Sequence, residues 1–185
     1  MPRFLVLALL LTGAAAQAPR SVRDLDNRMV TPLAPGAGEV NVIYFIAAGC
    51  PVSSRYAPEM DRIAAEYSAR RVRTFFVFAD PSMDGAGARE NLKSFHPKSR
   101  VPAIIDRGFS LTTAAGVTVT PEVAVYTSAG RVYRGRIDDL YINIGEARRE
   151  PTQRDLRNAL DAVLAGRPVA QPETTAVGCF IERKD

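Results

Sequence analysis

The chain has no tryptophan, a single histidine (His96) and only two cysteines (Cys50 and Cys179) among its 185 residues. It also lacks a long apolar run at its start: Phe4 to Leu11 is eight residues, too short for the roughly 20 that a bilayer-spanning helix needs, so stable membrane insertion is not expected. Thirteen Gly and thirteen Pro fall without any period, which excludes a collagen-like chain, and no repeat or low-complexity segment is present. Hydrophobic residues at 46% and charged residues at 24% exclude disorder. Charge of one sign is missing as a stripe. The 24 basic and 20 acidic side chains leave a formal +4, but the pairs Arg70-Arg71 and Arg148-Arg149 have Asp or Glu close by. A solvated mixed-charge surface is expected, and no nucleic-acid partner.

What is present begins at the N-terminus. Arg3 precedes the apolar run, and Thr12, Gly13 and Ala14-Ala15-Ala16 follow it, the order of a secretory signal peptide. Residues 1–16 are read as that peptide, because a cut after Ala18 would leave Pro19 first; a retained anchor is the alternative. Export to a periplasmic or extracellular space would place both cysteines where disulfides form and persist. Residues 17–168 then read as one domain, and residues 169–185 as a C-terminal tail carrying Cys179.

Periodicity predicts the elements. Ser21 to Leu33 holds an Asp26-Asn27 pair suited to a small hairpin, and Pro32 to Gly38 a loop. Val40–Ile46 and Val72–Phe78 are nearly continuous apolar runs, as strands buried on both faces would be. Between them a helix begins after Cys50-Pro51, with Tyr56, Met60, Ile63, Ala64 and Tyr67 on one face and a kink expected at Pro58. Strand, helix and strand in that order predict a parallel pair. Further on, the pattern predicts a loop over 81–87, a polar helix over 88–95, an extended segment over 101–105 and a small helix over 111–115. Val123–Tyr126 and Arg131–Ile137 flank Ser128-Ala129-Gly130 as a hairpin. A last helix is expected over 152–165, with Pro151 near its first turn and Gly166 and Pro168 at its end.

Chemistry concentrates at Cys50. It closes a buried strand and opens a helix, where ligands collect in open α/β sheets. Free N–H groups and the helix dipole there favour a thiolate. The alternative is an inert buried cysteine.

The segment Phe45-Ile46-Ala47-Ala48-Gly49-Cys50-Pro51-Val52-Ser53 resembles the active-site segment of thioredoxin-like redoxins. Val119-Thr120-Pro121-Glu122 is similar to the cis-proline loop of that group. Cys50-Pro51-Val52-Ser53-Ser54-Arg55, Tyr133 to Asp139 and Val177-Gly178-Cys179 resemble a bacterial alkyl hydroperoxide reductase/thiol-specific antioxidant-type subfamily. The resemblance implies an α/β thioredoxin-like fold, a central mixed sheet flanked by helices, with an N-terminal hairpin and a helical insert. It implies thiol-disulfide oxidoreductase chemistry on Cys50, with Thr120 and Pro121 beside the sulfur, Pro51, Ser53 and Arg136 touching substrate, a protein thiol or disulfide as partner, and no cofactor or metal. An ordinary strand-opening proline is the alternative at Pro121.

Two departures shape the expectation. Ser53 replaces the second cysteine of a CxxC pair, and a hydroxyl cannot resolve a mixed disulfide. Cys179 is then the resolving candidate, against a permanent structural bridge or two separate thiols. Ala47 stands where peroxidases of the group carry Thr or Ser, and Arg55, Arg134 or Arg136 would have to serve a peroxide; thiol peroxidase remains an alternative function. Copper binding by Cys50 with His96 is another, though Ser54 takes the place of a second ligand, and His96 otherwise reads as a surface-loop residue. A redox-inactive binding module is the last. The Arg136, Asp138 and Asp139 cluster reads either as a buried carboxylate accepting a proton from Cys50 or as a turn with a solvated ion pair.

Overall fold

Turn chemistry and period-two burial build the molecule from its first strands. The computed structural model describes residues 21–182; the expected signal peptide and its cleavage point lie outside the described residues. The Asp24 carboxylate accepts the N–H groups of Asp26 (2.9 Å) and Arg28 (2.8 Å), and Asn27 takes a φ of 61°. This closes the predicted hairpin between β1 (Val22–Arg23) and β2 (Met29–Val30).

β3 (Val40–Ile46) is buried along its whole length. Successive side chains point to opposite faces, so Val42, Tyr44 and Ile46 join one apolar cluster and Ile43 and Phe45 the other. Asn41 is tolerated in this run because its Nδ2 donates to the carbonyls of Thr31 and Pro32, both at 2.9 Å. α1 (Pro51–Ser68) follows, with Tyr56, Met60, Ile63 and Tyr67 buried as their spacing predicts. The helix runs unbroken through Pro58, which lies on its exposed side. β4 (Val72–Phe78) pairs parallel with β3.

α2 (Gly85–Phe95) starts ahead of the expected residue 88, because the Asp84 carboxylate caps the N–H of Gly87 at 2.7 Å. β5 (Ala103–Ile105) is shorter than the extended segment predicted over 101–105. Next come α3 (Ser110–Ala115), β6 (Val119–Thr120), β7 (Glu122–Thr127) and β8 (Gly130–Gly135), the last stopping short of Ile137. A second small hairpin, β9 (Tyr141–Asn143) with β10 (Glu146–Ala147), was not predicted.

α4 (Asp155–Leu164) begins later than residue 152, and Pro151 lies outside its first turn. The cause is Asp139, whose carboxylate takes the N–H groups of Thr152 (2.7 Å) and Gln153 (2.8 Å) and the Thr152 hydroxyl (2.6 Å). These bonds hold the approach to the helix in a loop. β11 (Cys179–Phe180) is the last element among the described residues.

The main sheet has the order β5-β4-β3-β7-β8, parallel over its first three strands and antiparallel beyond β3. Residues of α1 and α4 share the apolar cluster on one face; Leu111 and Ala115 of α3 and Val30 of the N-terminal hairpin share the other. The carboxyl end of β3 thus delivers Cys50 to the start of α1.

Candidate functional site

Cys50 is the N-cap residue of α1, with φ −88° and ψ 113°, and Pro51 occupies the first turn, exposed. An N-cap side chain ordinarily accepts the free N–H groups two and three residues on. Here a sulfur occupies that place, no carboxylate lies in the first turn, and a thiolate on Cys50 would be the cap. In the structure Cys50 is joined to Cys179 by a disulfide, with the Cα atoms 6.0 Å apart. This pairing sets aside the reading of two separate thiols and is common to the other two, a resolving cysteine and a structural bridge.

The Thr120–Pro121 peptide bond is cis, as the resemblance implies. It brings the Thr120 carbonyl oxygen to 3.0 Å from Cys50 Sγ. The buried Glu122 carboxylate shapes this segment by accepting the Thr118 N–H at 2.9 Å. Sequence reading passed over Glu122, although an acid heading an apolar strand was a visible signal. Around the disulfide lies a cleft of about 570 Å³, lined among others by Ala47, Gly49, Ala79, Pro81, Thr120 and Phe180.

The other predicted residues divide. Ser53 is buried, its hydroxyl has no partner, and it lines a small cavity with Ala47, Asn91 and His96. Arg136 makes a two-pronged ion pair with Asp155 (2.7 and 3.3 Å) and does not line the cleft. Arg134 is held by Glu173 at 3.2 Å and by the Gly116 carbonyl, and among the described residues no arginine lines the cleft.

Asp138 and Asp139 are both buried, so the solvated-turn reading of that cluster does not hold. Burial pushes the Asp138 carboxyl above the usual range, opposed by the Tyr56 hydroxyl, which donates to it at 2.6 Å. Burial would raise Asp139 as well, but the donors from Thr152 and Gln153, with Arg148 at 3.3 Å, outweigh it and hold Asp139 at about 2. Neither carboxylate lines the cleft around Cys50.

No family model matches the chain, and no curated protein matches it. Solved structures do. An uncharacterized conserved protein from Geobacillus kaustophilus is 24% identical, over 95% of this chain and 94% of its own, with a TM-score of 0.75. A thioredoxin-like protein from Aeropyrum pernix is 18% identical over 62% of this chain and 78% of its own, TM-score 0.51. A secreted Mycobacterium tuberculosis disulfide oxidoreductase, homologous to E. coli DsbE, is 15% identical over 79% of this chain and 94% of its own, TM-score 0.51. The fold is thioredoxin-like.

On this thioredoxin-like frame the tail is fastened at two places. Its root runs beside β8: Arg134 N–H donates to the Pro172 carbonyl (2.9 Å), Thr174 N–H to the Arg134 carbonyl (3.0 Å), and the Thr174 hydroxyl meets that of Tyr133 at 2.7 Å. Gly135, at φ 148°, makes room, since a Cβ there would fall on Thr174. Its tip, β11, pairs antiparallel with β6, Cys179 opposite Thr120 and Phe180 opposite Val119. Gly178 presses so closely on the Thr120 carbonyl that a Cβ would sit 2.2 Å from the oxygen. A two-residue ladder with partners far away in sequence gave no pattern to read beforehand.

His96 overturns the surface-loop reading. It is 5% exposed, its Nδ1 lies 2.8 Å from Asp61 Oδ1, and its ring packs on Phe76 at 4.2 Å between centroids. Among the described residues no three His, Cys, Asp or Glu side chains gather as metal ligands would, and no helix is long and apolar enough to cross a membrane.

Proposed function

We propose that the protein is an exported thiol-disulfide oxidoreductase in which Cys50 and Cys179 form a working redox couple. The observation that carries this reading is the placement of the pair. Cys50 caps a helix that would stabilise its thiolate, and Cys179 sits on a short tail strand that pairs with β6 over two residues, with the Ile181 N–H donating to the Thr118 carbonyl at 3.0 Å just beyond it. Cys50 attacks a disulfide in a partner protein, and Cys179 resolves the mixed disulfide by attacking Cys50.

The tail supplies what Ser53 cannot. With Thr174 fastened to β8, Cys179 lies five residues down the chain, a reach of at most about 17 Å. A released Cys179 therefore stays near Cys50. A peroxide substrate finds less support, with Ala47 lining the cleft where a Thr or Ser would bind peroxide.

A second reading has its own observation. Cys50 is 2% exposed and the tail root is clamped, which suits a permanent staple. An exchange assay separates the two. With a small dithiol as reductant, wild type is expected to accelerate reduction of a model protein disulfide at least 100-fold more than Cys50→Ser. Equal rates for the two proteins would leave the staple standing.

A further inference from the structure

The two cysteines of the bridge differ in exposure, and the difference points to different partners for them. Cys50 is 2% exposed and its sulfur is covered by the Thr120 carbonyl oxygen at 3.0 Å, a partial negative charge that repels an approaching thiolate. Both cysteines line the cleft, but Cys179 is half-buried where Cys50 is buried, and it is followed by Phe180, which is 79% exposed. Asp80 and Glu182 also border this cleft.

We propose that electrons enter through Cys179: a reducing dithiol partner attacks the tail sulfur, and Cys50 is the sulfur that leaves. This rests on the pair being a working couple and adds which sulfur meets the donor. Disulfide exchange is governed by which sulfur can be reached and by which thiolate leaves more readily. Access favours attack on Cys179. The free N–H groups at the start of α1 favour departure of Cys50, because the leaving electron pair settles where the helix stabilises it.

The electrons balance in two steps. The donor thiolate attacks Sγ of Cys179; a donor–Cys179 disulfide forms, the Cys50–Cys179 bond breaks, and its electron pair remains on Cys50. The second donor thiolate then attacks the donor's own bonded sulfur. A donor disulfide forms, and Cys179 leaves as a thiolate that takes a proton from water. The donor dithiol is oxidised by two electrons and the pair is reduced by two.

In this division of labour the donor docks on the tail side of the cleft, against Phe180. Cys50 is left free to face the disulfide to be reduced.

The test uses the oxidised wild-type chain and cysteamine, a small cationic monothiol that opens the bridge but has no second thiol of its own, so the mixed disulfide outlives the first step under an early quench. The reaction is quenched with acid early, free thiols are alkylated, and the adducts are located by peptide mass mapping. At least ten cysteamine adducts on Cys179 are expected for each one on Cys50, with Cys50 recovered alkylated. Adducts mainly on Cys50, with Cys179 alkylated, overturn the assignment while leaving the couple itself intact. A folded protein whose bridge cysteamine cannot open overturns both.

Discussion

Gly178→Ala is expected to leave Cys50 and Cys179 largely as free thiols under conditions in which the wild type is fully bridged. A Cβ at this position would lie 2.2 Å from the Thr120 carbonyl oxygen, 2.6 Å from its carbon and 3.2 Å from the Pro121 nitrogen. All three atoms are backbone, so no side chain can swing aside to relieve the overlap. The tail must lift from β6, and the ladder that sets Cys179 opposite Thr120 goes with it. Overpacking of this kind costs roughly 3 kcal/mol, about a 100-fold drop in the bridging equilibrium. Counting thiols after equilibration in a fixed thiol-disulfide buffer measures the effect. Gly85→Ala is the control, because nothing lies within 4 Å of its Cβ. A Gly178→Ala protein that bridges as well as wild type would show that the β6–β11 contact does not position Cys179.

The second large effect is on stability. The bridge spans a sequence separation of 129, and in the chain-entropy account closing a loop of that size removes about 5 kcal/mol of freedom from the unfolded chain. The oxidised wild type should therefore resist urea more than the Cys50→Ser/Cys179→Ser double variant, by about 3–5 kcal/mol in equilibrium unfolding. The stability difference between the oxidised and reduced wild type must reappear in the redox equilibrium, since 30 mV corresponds to about 1.4 kcal/mol for two electrons. A gain of about 5 kcal/mol makes the bridge about 100 mV harder to reduce in the folded chain than in the unfolded one. Equal stabilities would mean that the tail is as free to meet Cys50 in the unfolded chain as in the native one, contrary to its fastening at Thr174 and Gly178.

The parts of the fold that were legible in the sequence are those whose signal is local. Val40–Ile46 and Val72–Phe78 are strands with the predicted limits, because each is an apolar run bounded by residues that stop it. Cys50 at the mouth of α1 was legible for the same reason, being the junction of a strand pattern and a helix pattern. The start of α4 was not, since it is decided by the Asp139 carboxylate, which captures the Thr152 and Gln153 N–H groups from another segment. His96 was misread because its burial depends on Asp61 and Phe76, neither of which its own neighbours Phe95 and Pro97 announce. The tail strand was invisible on its own, two residues long and held by Thr120 and Val119. Its cysteine was noticed only for want of another in the chain.

The proposed function requires the Cys50–Cys179 bridge to open and close as part of the protein's work. Equilibrating the protein in graded redox buffers, then counting bridged and reduced molecules by mass, tests it most directly. The account predicts one reversible two-electron transition with a midpoint between about −120 and −270 mV, the range of exchange catalysts. A bridge that stays closed below about −300 mV would contradict it and mark Cys179 as a structural staple.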